Sequence, residues 1–317
     1  MATLAKISLL LVIVLVTVSA YLRLDHSGIG CEPWPACYGN IGIPAESPSA
    51  ADTYERLLEE ASEPLSWATP LHRLVASILG LTILGMSLLS LRQKKDRVAA
   101  LSLLALTVFL AWLGIYSEGL HSPAVVMGNL CGGFAMLGIL GWLVVRKPLS
   151  TQAERSKLHS ATIAALIFLA AQIYIGGLTS ANFAASACQT LPDCHGSWIP
   201  GPDVLTAFDL SRIHDIGSSG MVLGGPERAA VHKLHRITAV ISAAMIMFAG
   251  ILAIRAGRDL RTVGIALIVL VVLEFSLGIA SILAGLPILG AVAHNWLAAV
   301  LLLATLKLFA ESQASSG

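Results

Sequence analysis

The feature that most constrains this chain is the number and length of its apolar runs. About 20 apolar residues of helix cross a hydrocarbon core of roughly 30 Å, and within that core the backbone must satisfy its own hydrogen bonds. Windows of about 19 residues place such helices near 3–22, 68–91, 98–117, 124–145, 158–180, 231–255, 261–284 and 288–310. The expected fold class is an all-α membrane protein with eight transmembrane helices. Composition agrees, since 56% of the 317 residues are hydrophobic and 12% are charged. The run from Ile7 to Ala20, after Lys6, also has the charged start and apolar centre of a signal peptide, with Val18-Ser19-Ala20 as a passable cleavage site. The repeat described next favours a retained helix.

Two motifs recur in the same order. Cys31-Glu-Pro-Trp-Pro-Ala-Cys37 and Cys188-Gln-Thr-Leu-Pro-Asp-Cys194 are both C-x5-C, each with Pro two residues before its second Cys and each following an apolar run. Downstream of each, a helix opens with His-Arg, at His72-Arg73 and His235-Arg236. The offsets between copies, 157 and 163 residues, span an even number of helices. The expectation is two tandem, pseudo-symmetric four-helix bundles in parallel orientation, covering 1–150 and 151–317.

Charge orients the array. Basic residues gather at Arg92, Lys94, Lys95 and Arg97, at Arg146, Lys147, Arg155 and Lys157, and at Arg255, Arg258 and Arg261. These alternate loops are expected to be cytoplasmic, which puts both termini inside a cell inner membrane. The opposite loops, about 23–67 and 181–229, carry four of the five cysteines. On an oxidising face these should persist as disulfides, and pairing within each loop, Cys31 with Cys37 and Cys188 with Cys194, is the simplest scheme. Redox-active pairs are the alternative. Cys131, beside Gly132 and Gly133, reads as a small buried apolar residue. The net charge of +1, with no basic stripe or aromatic platform, sets nucleic acid aside.

Histidines in apolar runs demand explanation, because polar groups in lipid are costly and face the bundle interior. His235 and His294 fall at similar depth near the outer ends of two helices. Two such imidazoles can ligate a haem iron axially, with the porphyrin filling the bundle core; zinc would want further ligands. His72 occupies the corresponding place in the first half. Asn129 lies 57 residues beyond it, as His294 lies 59 beyond His235, and asparagine is a poor iron ligand. His121 could ligate only if its loop folds inward. His232, one turn before His235, is a candidate propionate contact or proton carrier, and Arg73 and Arg236 suit charge pairing with propionates or snorkelling to the interface. Solvated roles are expected for His26, His159, His195 and His214.

Taken together, the tandem halves, the loop Gly30-Cys31-Glu-Pro-Trp-Pro-Ala-Cys37 and the His-Arg helix starts resemble the haem A synthase family over nearly the whole chain. That resemblance implies an eight-helix fold of two pseudo-symmetric halves, with haem b in the carboxy-terminal half ligated by His235 and His294. It also implies oxidation of a methyl group of haem O to a formyl group in the amino-terminal half, with His72 holding the substrate iron. Two departures fall on that half: the family's second histidine appears as Asn129, and the glutamate three residues before its first histidine appears as Thr69. Glu59, Glu60 and Glu63 lie upstream in the loop and do not match the motif. A single axial His72 leaves an iron position open. Partners implied are the lipid bilayer, a haem O supplier and an external electron donor; a homo-oligomer is left open. The competing expectation is a non-catalytic haem b protein acting in electron transfer or respiratory oxidase assembly. A transporter is disfavoured because Pro70, Pro123 and Pro287 sit at helix starts and mid-membrane breaks are lacking.

Overall fold

The computed structural model describes residues 1–25, 67–116, 123–146, 157–212 and 225–314. Cys31, Cys37, His26, His121, His214, Glu59, Glu60 and Glu63 lie outside the described residues. The described chain forms α1 (Ala2–Asp25), α2 (Ala68–Gln93), α3 (Arg97–Tyr116), α4 (Pro123–Val145), α5 (Lys157–Ala181), the short α6 (Val204–Ala207), α7 (Pro226–Arg255), α8 (Arg258–Leu283) and α9 (Ile288–Ala314). All but α6 are long and apolar enough to cross a membrane. The chain is a multi-pass membrane protein.

Side-chain placement follows from having lipid as the outer solvent. On α2, Leu74, Leu81 and Leu88, seven residues apart, are exposed, while Val75, Leu79, Ile83 and Met86 are buried on another face. One apolar stripe meets lipid and the other meets protein, so hydrophobicity alone does not separate them. In the first half α1 packs on α2, α2 on α3, α3 on α4 and α4 back on α1; in the second, α5, α7, α8 and α9 close a ring in the same order. α9 also packs on α1 and α4, and α4 on α5, which joins the rings. Polar pairs fix some of these contacts. Ser8 Oγ donates to Thr82 Oγ1 at 3.0 Å, and Ser87 Oγ donates to the Ala100 carbonyl at 3.0 Å.

α7 and α8 meet backbone to backbone. A Cβ at Gly264 would stand 2.5 Å from the Gly250 carbonyl oxygen and 3.0 Å from Ala253 Cβ. Because backbone lies opposite, the collision cannot be relieved by a rotamer change, and small residues let the two helices approach. Gly264→Leu is expected to destabilise the protein by about 1–3 kcal/mol through overpacking. A thermal unfolding scan in detergent checks this, with an unchanged midpoint as the contrary result.

Lys94–Asp96 form the turn between α2 and α3, with Lys94 and Asp96 both at positive φ. Arg146 Nη2 lies 2.5 Å from Asp96 Oδ2, and this hydrogen bond holds the Asp96 carboxyl below its usual range. The resulting contribution is complete above the unfolded value near about 3.9 and disappears as pH falls through the depressed folded one. Acid titration of stability should therefore show wild type losing an increment below about pH 4 that Asp96→Asn lacks. For a partly exposed pair this is at most about 1 kcal/mol.

The largest boundary difference is at α7, which begins at Pro226 and not near 231. Pro at the first helical position is pre-set for a helix start, and extended Gly225 precedes it. The polar residues that made this stretch look like loop are buried against protein. Glu227 pairs with Arg212 at 3.2 Å, and Arg228 donates to the Phe183 carbonyl. His235 is thus more than two turns inside its helix.

A candidate haem site between paired histidines

α7 and α9 stand on the diagonal of the second ring, and their histidines meet across it. The rings of His235 and His294 are 6.5 Å apart between centroids and nearly perpendicular, at 86°. Two imidazoles bonded to one metal at about 2 Å each stand with centres roughly 6 Å apart. They border a cavity of about 440 Å³, within the roughly 300–1,000 Å³ of cofactor sites. Leu169, Ile173, Ile246, Val271, Ala298 and Leu301 give it apolar walls. Leu130 and Phe134 of α4, with Arg23 and Leu24 of α1, extend the lining into the first ring.

Each imidazole has a polar residue and a glycine behind it. Gln172 Nε2 lies 3.1 Å from His235 Nδ1, and Thr238 Oγ1 donates to Gln172 Oε1. Glu274 Oε1 lies 3.3 Å from His294 Nδ1, within ion-pair reach but off-line for a hydrogen bond, since His294 Nδ1 lacks a hydrogen-bond partner. A Cβ at Gly176 would come within 3.1 Å of His235 Cε1, and one at Gly278 within 3.3 Å of His294 Cε1. Larger residues there would displace the rings.

The donor set fits a haem. Among the described residues no cluster of three or more His, Cys, Asp or Glu could enclose a metal ion, whereas a porphyrin iron needs only two axial ligands from the protein. Buried polar atoms of Arg23, Arg236, Ser242, Glu274, Ser281 and His294 lack hydrogen-bond partners among the described residues, and all six residues line this cavity. Unmet polar groups around an apolar chamber suit an amphipathic guest.

The disulfide loop roofs the chamber. Cys188 and Cys194 are bonded, as the spacing suggested, and Leu191, Pro192 and Trp198 of this loop line the cavity. Arg236, expected beside propionates, sends Nη1 to the Thr190 and Asp193 carbonyls at 2.7 Å each and Nη2 to the Cys188 carbonyl. Its Nε has no partner among the described residues. His232 is buried and donates from Nδ1 to the Ala184 carbonyl at 2.8 Å, with its ring also on the cavity wall. Exposed His195 meets the Ala187 carbonyl. His159 departs from the solvated role expected of it. It is half-buried, shares a hydrogen bond with Ser312 and stacks on Phe309, because α5 and α9 pack there.

On the other half, His72 is half-buried in the first turns of α2, with Thr69 one turn before it, Arg73 exposed beside it and Asn129 half-buried on α4. α2 and α4 are again diagonal. The surroundings of Asn129 differ from those of His294. A Cβ on Gly128 would strike Leu113 and one on Gly132 would strike Leu110, at 2.6 Å each. Leu113-Gly114-Ile115 repeats as Leu277-Gly278-Ile279, and in that register Leu110 stands where Glu274 stands.

Known proteins resemble this chain over most of its length. The family model of the COX15-CtaA cytochrome oxidase assembly proteins matches residues 2–306. The chain belongs to this family. Among its relatives, a heme A synthase of Shewanella oneidensis is 32% identical over 95% of this chain and 93% of its own length. One from Rhizorhabdus wittichii is 26% identical over 93% of this chain and 89% of its own, and one from Shouchella clausii is 28% identical over 59% and 61%. Sequence reading missed Gln172 and Glu274, although a carboxylate inside an apolar span was a signal for the second.

Proposed function

We propose that this protein is a haem A synthase-type oxidoreductase of cytochrome oxidase biogenesis, placed in the cell inner membrane with both termini cytoplasmic. It is built from an amino-terminal substrate half, 1–150, and a carboxy-terminal cofactor half, 151–317. The observation that carries this reading is the His235–His294 pair, 6.5 Å apart across an apolar cavity. Haem b bound there supplies one-electron redox chemistry. His235 and His294 hold its iron, Gln172 and Glu274 orient the two imidazoles, and the leucine and isoleucine walls exclude water. His72 would hold the iron of the substrate, haem O, whose methyl group is oxidised to formyl in two successive hydroxylations, each consuming one dioxygen as the oxidant with two electrons from an external donor and two protons and releasing one water, after which the hydrated aldehyde loses water.

A second reading has its own support. Asn129, Thr69 and the leucine packing beside Asn129 favour a haem b protein that assists assembly without oxidising haem O. Mass analysis of haems extracted after co-expression with a haem O supply separates the two. Formyl haem in wild type, absent from His72→Ala and His294→Ala, is expected. Haem b alone, lost only in His294→Ala, would replace the synthase reading with the second one.

A further inference from the structure

The backing of the two histidines is alike in plan and unlike in charge. Gln172 and Gly176 on α5, and Glu274 and Gly278 on α8, are each four residues apart and share a helix face. Each helix thus offers one imidazole a polar group one turn from a glycine notch. Behind His235 the group is a neutral amide, and behind His294 it is a carboxylate. Glu274 lies within an apolar span, its side chain only 16% exposed and its Oε2 buried without a hydrogen-bond partner. Carboxylates at such depth are expensive and are kept for a task.

We propose that Glu274 is a positioning residue that acts on haem b through His294: when the imidazole turns to hold iron, the carboxylate now 3.3 Å from Nδ1 comes into line to accept the Nδ1–H, leaves Nε2 for iron, and makes His294 the more electron-donating of the two ligands. The proposal rests on the haem b reading above. A carboxylate behind a ligating histidine fixes the tautomer and raises ligand basicity, and its negative charge in a water-poor site favours ferric over ferrous iron. Both effects lower the reduction potential. Gln172 does neither, because an amide can offer its NH2 or its oxygen to Nδ1 and serves either tautomer.

Redox potentiometry of the purified full-length protein carrying haem b, followed at the haem α band, tests this. Glu274→Gln is expected to bind haem more weakly but to retain enough to titrate, at a more positive potential than wild type, and Glu274→Asp, which draws the carboxylate back from Nδ1, to move less in the same direction. A purely structural role would cost haem or yield without moving the potential of the molecules that keep it. Haem-loaded Glu274→Gln at the wild-type potential overturns the proposal; if that variant does not fold, Glu274→Asp at the wild-type potential overturns it. Wild-type protein with no haem b fails earlier and sinks the haem reading together with the proposal.

Discussion

Purified His294→Ala is expected to contain almost no haem b, while wild type carries one equivalent per chain in the reduced pyridine haemochrome spectrum. Disturbing the partner of a metal-bound histidine already weakens metal binding by about 10–100-fold, so removing the ligand itself should exceed that. His235→Ala should behave the same way, because the two rings face each other across one cavity and neither half of the pair has a substitute among the residues around it. His232 is the nearest other imidazole, but its ring is anchored one helical turn from His235 by the Nδ1–H bond to the Ala184 carbonyl. His159→Ala supplies the control, since that ring packs between α5 and α9 on Ser312 and Phe309, away from the cavity. Both cavity variants remove an imidazole from a chamber wall and not from a close-packed core, so gel-filtration profiles should match wild type. A full haem complement in His294→Ala would show that the pair does not hold iron.

The parts of this site that were legible in sequence are those that depend on a chemically rare residue in an apolar setting. His235 and His294 stood out because imidazoles in lipid need a reason. Cys188 and Cys194 stood out because a short spacing on one loop invites a bridge, which the structure contains. The eight spans followed from run length alone. Burial of polar residues against protein was harder to see, and it explains the misses. Glu227 and Arg228 read as loop until Arg212 and the Phe183 carbonyl were found waiting for them. The three backbone carbonyls that Arg236 meets, from a loop some 45 residues away, cannot be read from a pattern either. The role of Gly176 and Gly278 also needed three dimensions, since a glycine in a membrane helix means little until an imidazole lies against it.

The same contrast between the halves governs what should happen at His72. In His72→Ala, formyl haem in the extract is expected to fall below detection while haem b stays at the wild-type level, a split that no general destabilisation produces. The two rings of helices touch through α9 and through α4 on α5, but His72 sits on α2, outside the lining of the His235–His294 cavity, so cofactor binding has no need of it. At the matching register its own half offers a leucine where His294 has a carboxylate: Leu110 stands at the register of Glu274, and Leu110 and Leu113 lie against the helix that carries Asn129. On the proposed synthase reading, with Asn129 and Thr69 in place of the family's second histidine and glutamate, His72 would be the family-matched ligand for the substrate iron and the oxidation would depend on it. Equal haem b and undiminished formyl haem in His72→Ala would mean that the substrate is held elsewhere, and the cavity wall shared by Arg23, Leu130 and Phe134 would be the place to look.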